Sequence, residues 1–277
     1  MPLLSKQQSV ALSEMNPQHT SVSALFRNFN YISNGSYGSS LKIYNATDKK
    51  TGKLKSVFVF DRSQNVKFHP KTYRSGRQSS LDLVKWDFQH LSNFKHPRIL
   101  KVEQPLIETQ EVVVYSSEVL LCSLEHLGLT QGLSHLEDVE VKCGLLQITA
   151  ALSYLHHHTN ICHGNIAPES IFVDALGRWK LAGFAFCEST GEEIKDSTSG
   201  AFRWTLKNPA NVQANLDFMA PELQCSSSLN IESDVFSLGA LAFWLCTGGE
   251  KIINAENSID TYNREVYEVK HNLIKNS

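Results

Sequence analysis

The sequence predicts an α+β protein in which a small antiparallel β lobe is followed by a larger helical lobe. Three stretches carry that reading. From Phe29 to Phe60 the segments FNYIS, NGSYGSS, LKIYNAT, DKKTGK and LKSVFVF alternate strand, glycine turn, strand, polar turn and strand, which is an antiparallel meander. LDLVKWDFQHLSNF then spaces its apolar residues as a helix does, ahead of His96-Pro97, and VVVYSS reads as a short buried strand. Between Glu137 and His157, Val141, Leu145, Leu146, Ile148, Thr149, Leu152 and Leu155 form a broad apolar stripe at helical period.

Residues 1–24 are rich in Ser, Gln and Asn without steady periodicity, so they are expected to be a flexible lead-in to folded structure that starts near Leu25. The β lobe is expected to span 25–118 and the helical lobe 119–277. Between Asp61 and Ser80, Arg62, Lys67, Lys71, Arg74 and Arg77 sit among Ser, Gln and Pro, as either a solvated insertion or a basic docking loop. The polar stretch from Glu188 to Asp217 is too long for a simple connector.

With 42% hydrophobic and 19% charged residues over 277 positions, the chain can bury a large core. A net charge of -2 gives no global attraction to nucleic acid, so no nucleic-acid partner is expected. Six cysteines without a CxxC pair read as reduced thiols. The start lacks a signal-peptide pattern and no run of 18 apolar residues occurs, so a cytoplasmic location is expected.

YLHHHTNICHGNIAPESIFVD resembles the catalytic loop of protein kinases, H-R-D-L-K-P-E-N followed by apolar residues, in the register set by His163, Pro168 and Glu169. KLAGFAF, eighteen residues past Asn165 at Gly183, falls where kinases place D-F-G. MAPEL at 219–223 resembles A-P-E, and SDVFSLGALAFWLCTG at 233–248 resembles the helix beginning D-V-W-S-L-G, with the family interval of twelve residues from Glu222 to Asp234. Several motifs in order at matching intervals imply a bilobal kinase-like fold from Phe29 onward.

The chemical positions read differently. A kinase positions phosphates, two Mg²⁺ ions and a hydroxyl nucleophile, and each task needs a particular side chain. The resemblance puts Phe58 at the phosphate-binding lysine, and Asp87 at the helix carboxylate that would pair with it. It puts Asn165, which has no useful basicity, at the catalytic aspartate. Ser170 and Gly183 stand at the two metal-binding positions, so no Mg²⁺ site and no bound metal is expected. The glycine-rich loop keeps Gly35 and Gly38 but lacks the first glycine, and Ser40 and Ser56 replace the apolar pair that sandwiches adenine. A vestigial cleft without a cofactor is therefore expected. ATP binding without metal and a weak or atypical Ser/Thr kinase remain the alternatives, and Lys42 is the one nearby lysine that could stand in.

The structural positions survive. By the same resemblance Leu91, Val102, His163 and Phe184 form the stack joining the lobes, and Asp234 anchors it. VFVFD, KHPRIL, HGNIAPESI and the GF-F-C strand end are similar to the SCY-like pseudokinases, in the branch associated with clathrin-coated vesicles. The resemblance implies a non-catalytic scaffold or adaptor in traffic between the trans-Golgi network, endosomes and plasma membrane. Its partners would be proteins, coat or adaptor proteins among them, with peripheral membrane association on vesicles, endosomes or Golgi. The family's HEAT-type repeats are absent from this sequence.

Three further readings set a plain alternative beside a sharper one. His156, His157 and His158 with Cys162 and His163 read as structural or solvated residues in preference to a metal site. Cys187 and Cys225 read as ordinary thiols, and the Ser and Thr of 188–217 as a polar loop in preference to phosphorylation sites. Only 43 residues follow Asp234, so the helical lobe is expected to be incomplete, with Glu222 lacking its usual arginine and the helix LGALAFWLC partly uncovered.

Overall fold

The computed structural model describes residues 20–36, 38–67, 79–189, 204–224 and 229–275, apart from the side chains of 38–40, 273 and 274. Tyr37, Lys71, Arg74, Arg77, Cys225 and the side chain of Ser40 lie outside what is described.

The first described element is α1 (Thr20–Leu25), which corrects the expected lead-in of 1–24 over its last five residues. It forms because Val22 completes an apolar patch with Phe26, Tyr44, Ala46, Val57, Val59, Val112 and Val114 on the outer face of the sheet. That sheet runs β1 (Phe26–Gly35), β2 (Gly38–Asp48), β3 (Leu54–Asp61), β5 (Val112–Ser117), β4 (Val102–Glu108), antiparallel throughout. Side chains alternate between faces. The register Leu41–Phe60, Ile43–Phe58, Asn45–Ser56 and Phe58–Tyr115 therefore sends these residues to the opposite face from the outer patch.

That inner face is covered by α2 (Ser80–Asn93), whose first turn is capped by the Ser79 hydroxyl accepting from the Asp82 amide. Ser80, Leu81, Leu83, Val84, Asp87 and Leu91 are its buried residues. The basic stretch begins less freely than expected: Arg62 pairs with Glu108 at 2.9 Å and donates to the Thr109 carbonyl.

β6 (Leu120–Ser123) leads into the helical lobe, where α3 (Leu124–Thr130) is capped by Ser123 and α4 (Asp138–Tyr154) by a reciprocal Glu137–Glu140 box. α4 runs into a π-helical turn, Leu155–Thr159, that stops at Asn160 in the left-handed conformation (φ 51°). The short strands β7 (Ile161–Cys162), β8 (Ile171–Asp174), β9 (Trp179–Leu181) and β10 (Glu188–Ser189) frame the catalytic-like loop. α5 (Ile231–Cys246) and α6 (Ile259–Lys275) are the last two described helices. Val235 and Phe243 on α5 are exposed, while Leu241, Trp244 and Leu245 are buried.

The stripe expected on α4 is corrected at two positions: Leu146 is 69% exposed and Thr149 faces solvent. The buried face runs through Val141, Gly144, Ile148, Ala151 and Leu152. The reason is Trp179, whose indole lies so close to Gly144 that a Cβ there would sit 2.3 Å from the ring. The helix turns its small residues to the core to admit the indole. Gly144→Ala should lower the stability by about 1–3 kcal/mol through overpacking, read as a fall in urea midpoint at unchanged slope. An unchanged midpoint would mean that the indole has room to move.

Candidate functional site

The site is built outward from α5. Asn230 caps that helix, accepting from the Ser233 amide at 2.8 Å, and the cap places Asp234 in the first turn. The Asp234 carboxylate is buried and accepts from the His163 amide (2.7 Å) and the Gly164 amide (2.9 Å), with His156 Nε2 at 2.8 Å. These bonds fix the catalytic-like loop. His163 in turn meets the Ala182 carbonyl through Nε2 at 2.9 Å and sets its ring against Phe184, centroids 4.8 Å apart.

Phe184 also touches Phe94 at 4.9 Å, a contact the sequence did not suggest. Leu91 is buried and Val102 half-buried against the same core. Asp87, expected to stand without a lysine, is not idle: its Oδ1 accepts from the Phe184 amide at 2.7 Å. The carboxylate also stands against the Tyr115 hydroxyl, which burial and that charge hold well above the usual tyrosine range. One side chain of α2 thus ties the upper lobe to the loop at Gly183.

The cleft between the lobes is occupied by the chain's own groups. Phe58 is 2% exposed, stacks on Tyr115 at 4.7 Å with an 11° interplanar angle, and meets the edge of Phe172 at 6.1 Å. At the strand connecting the lobes, the Ser56 hydroxyl donates to Asn45 Oδ1 (2.6 Å) and accepts from the Leu120 amide (2.8 Å), while Asn45 Nδ2 donates to the Leu120 carbonyl (2.8 Å). Asn45 was not singled out from sequence. Its pairing with Ser56 needs the β2–β3 register, which spacing alone does not supply.

At the opposite end of the cleft the Ser36 hydroxyl donates to the Glu169 carbonyl at 3.2 Å. Gly183 has φ 79°, and a Cβ there would lie 2.5 Å from Ser36 Oγ and 2.9 Å from Ser170 Oγ. An aspartate at 183 would require the Ser36 and Ser170 side chains to shift, at a backbone conformation that side chains rarely adopt. Gly35 is equally confined, since a Cβ would meet Leu41 at 2.7 Å. No carboxylate stands at 170 or 183, so the donor set does not suit Mg²⁺ bound to phosphates.

Asn165 uses both ends of its amide. Oδ1 accepts from the Asn215 amide at 2.8 Å, Nδ2 lies 3.4 Å from Ser170 Oγ, and the Ser170 hydroxyl donates to the Asn165 carbonyl at 2.8 Å. A carboxylate could not donate to Ser170. Glu169 Oε1 accepts from Asn215 Nδ2 at 3.0 Å, yet burial and the nearby Glu125 carboxylate push its acid up to about 7.

Of the suspected metal cluster, His156 and Cys162 do lie beside Asp234, all three buried, whereas His157 and His158 face solvent. The Asp234 carboxylate already bonds two backbone amides and His156, and burial pushes the Cys162 thiol up to about 12, so the trio reads as a structural knot. Glu222, expected to lack its usual arginine, accepts from the Ser233 hydroxyl at 2.9 Å, and Arg264 pairs with Glu265.

A five-stranded antiparallel sheet with one covering helix, joined through β6 to a helical lobe that carries this loop, is the architecture of a protein kinase domain. The sequence model of the protein kinase domain matches residues 26–276, and the chain belongs to that family, with SCY-like proteins among its relatives. It is 32% identical over 250 residues to SCY1-like protein 2 of Homo sapiens, covering 85% of this chain and 26% of that protein. It is 32% identical over 246 residues to the protein kinase domain-containing protein ppk32 of Schizosaccharomyces pombe, covering 81% and 32%. The probable inactive serine/threonine-protein kinase scy1 of Dictyostelium discoideum is 26% identical over 223 residues, covering 78% and 24%. The chain spans about a quarter to a third of the length of these relatives. Among the described residues no helix is long and apolar enough to cross a membrane.

Asn165→Asp, which restores the kinase residue type, should cost about 1–3 kcal/mol by leaving a buried carboxylate facing Ser170 without its donor; a urea midpoint at or above wild type would contradict this. Glu169 supplies a pH signature. Its folded acid titrates near 7 against an ordinary 4.5, among Glu125, Asp217 and Asn215. Its contribution is present in full below the lower value and is lost as pH rises through the upper one. Melting curves of wild type and Glu169→Gln should therefore diverge between those two values, with wild type losing ground; parallel curves would place the titration elsewhere.

Proposed function

We propose that this domain is a catalytically inactive, kinase-like module that works by binding protein partners, as a scaffold or adaptor in clathrin-linked traffic between the trans-Golgi network, endosomes and plasma membrane. The observation that carries the inactive reading is the self-occupied cleft: Phe58 stacked on Tyr115 where phosphates would need a cation, and Ser36 bonded to the Glu169 carbonyl beside Gly183. A kinase transition state needs a base, a metal pair and a phosphate cradle together, and each missing group costs orders of magnitude in rate. Here Asn165, Ser170 and Gly183 serve the fold and offer no base and no metal carboxylate.

The scaffold reading is supported by what is retained. Asp234, His163, Phe184 and Asp87 form a continuous chain of contacts between the lobes that requires no nucleotide to complete it. Lys180 adds a tie to Glu118 (2.9 Å) and the Pro97 carbonyl (3.0 Å) near the junction of the lobes. A domain held closed by its own bonds presents one fixed surface, which suits recognition. The trafficking context rests on likeness to SCY-like proteins, and peripheral association with vesicle or Golgi membranes belongs to the same proposal.

The test is differential scanning fluorimetry with ATP, with and without Mg²⁺, beside a phosphotransfer assay. The midpoint should stay unchanged in both conditions and no phosphate should be transferred. A rise in midpoint that requires the metal would overturn the inactive reading in favour of a weak kinase.

A further inference from the structure

The turn joining β2 to β3 reads KKTGKLK from Lys49 to Lys55, and it concentrates positive charge in a chain whose net charge is -2. Its backbone is fixed by Asp48. That side chain accepts from the Lys50 amide at 2.8 Å and the Thr51 amide at 3.3 Å. The Asp48 carbonyl accepts from the Gly52 amide at 2.8 Å, and the Asp48 amide donates to the Lys53 carbonyl at 2.9 Å. Gly52 takes the left-handed conformation (φ 70°) that closes so tight a turn, and nothing lies within 4 Å of where its Cβ would be. With 49–54 exposed throughout, the tip stands clear of the lobe.

Two acids at this end of the sheet are turned onto the one inward lysine. Asp48 is buried and meets Lys55 Nζ at 3.3 Å and Gln104 Nε2 at 2.8 Å, and Glu103 meets the same ammonium at 3.6 Å. Lys49 reaches the Ser23 carbonyl of α1. Lys50 and Lys53 are exposed, and among the described residues their ammonium groups have no hydrogen bond or ion pair; the same holds for the Arg27 guanidinium. Arg27 pairs with Thr47, and Thr47 with Leu54, so this cross-strand row puts a guanidinium and a leucine on one face. Leu54 is 51% exposed.

We propose that this end of the hairpin docks on a bilayer carrying anionic lipids, with Arg27, Lys49, Lys50 and Lys53 against the headgroups and Leu54 entering the boundary with the acyl chains. The cations are spread over a projecting turn and do not converge on one pocket. Such a spread suits a surface of many phosphates, whereas a single phosphorylated side chain needs donors aimed at one point. An extended peptide adds to a free sheet edge, and β2 and β3 are interior strands of the sheet. An exposed leucine among lysines is the composition of segments that lie at a membrane interface. The inference rests on the peripheral membrane association within the proposed function and supplies its contact surface.

The experiment sediments the chain with vesicles of phosphatidylcholine, alone or mixed with phosphatidylserine, at low and at physiological salt. The chain should bind only the mixed vesicles, and less as salt rises. Lys50→Gln together with Lys53→Gln should weaken that binding about twentyfold at an unchanged melting midpoint, since neither ammonium holds the fold. Leu54→Thr should weaken it about threefold without altering the salt dependence. Hexaglutamate should bind the chain more weakly than the mixed vesicles do; tighter binding would transfer the surface to an acidic protein partner and overturn the membrane assignment. A wild type that binds neither vesicle would overturn membrane association itself. A wild type that binds, beside a lysine pair variant or a Leu54→Thr variant that binds equally well, would leave the association standing and overturn the part assigned to the hairpin. None of these readouts involves nucleotide, so the inactive reading of the cleft stands or falls separately.

Discussion

The Asp234 carboxylate, 1% exposed at the start of α5, accepts from two successive backbone amides of the catalytic-like loop and bonds His156. Its position in the first turn of a helix suits a negative charge, because the helix N-terminus is electropositive. Without it, buried donors at 163 and 164 would stand unpaired, at a cost comparable to the net worth of several ordinary hydrogen bonds. The remainder follows in sequence. A fixed loop orients His163, His163 seats Phe184, the Phe184 amide reaches Asp87, and Asp87 brings α2 onto the lower lobe. The relative placement of the two lobes depends on that one acid.

The same logic explains how a kinase-like cleft can hold neutral groups at its motif positions without losing its fold. In an active kinase the lysine, the metal aspartate and the catalytic base are charged groups that need water or ligand to satisfy them. An unpaired charge in a dry site is costly, and well-packed apolar or self-bonded neutral groups of similar volume replace such charges at no loss of stability. Phe58 with Tyr115 and Phe172, Ser56 with Asn45, and Asn165 with Ser170 follow that pattern. The cleft is satisfied from within.

The order of elements was legible in the sequence because it rests on local physics. Alternation marked β2 and β3, helical period marked α2 and α4, and VVVYSS coincided with β5 residue for residue. The identities at 58, 165, 170 and 183 follow from motif spacing, since the loop between fixed points has a fixed length. By itself, then, the sequence determined the class of fold and which residue types stand at its kinase-like motif positions. What only the tertiary structure decided are contacts between residues far apart in the chain. α1 gains its place from a patch drawn from four strands, and Leu146 turns outward because Trp179 claims the space at Gly144. Asn45 bonds Ser56 and Leu120 only in one strand register, Asp87 finds the Phe184 amide only across the closed lobes, and Glu125 faces Glu169 only when α3 docks beside the loop. Local pattern encodes which face of an element is apolar, but the partner of a buried polar group depends on register and docking, which emerge when the whole core closes at once.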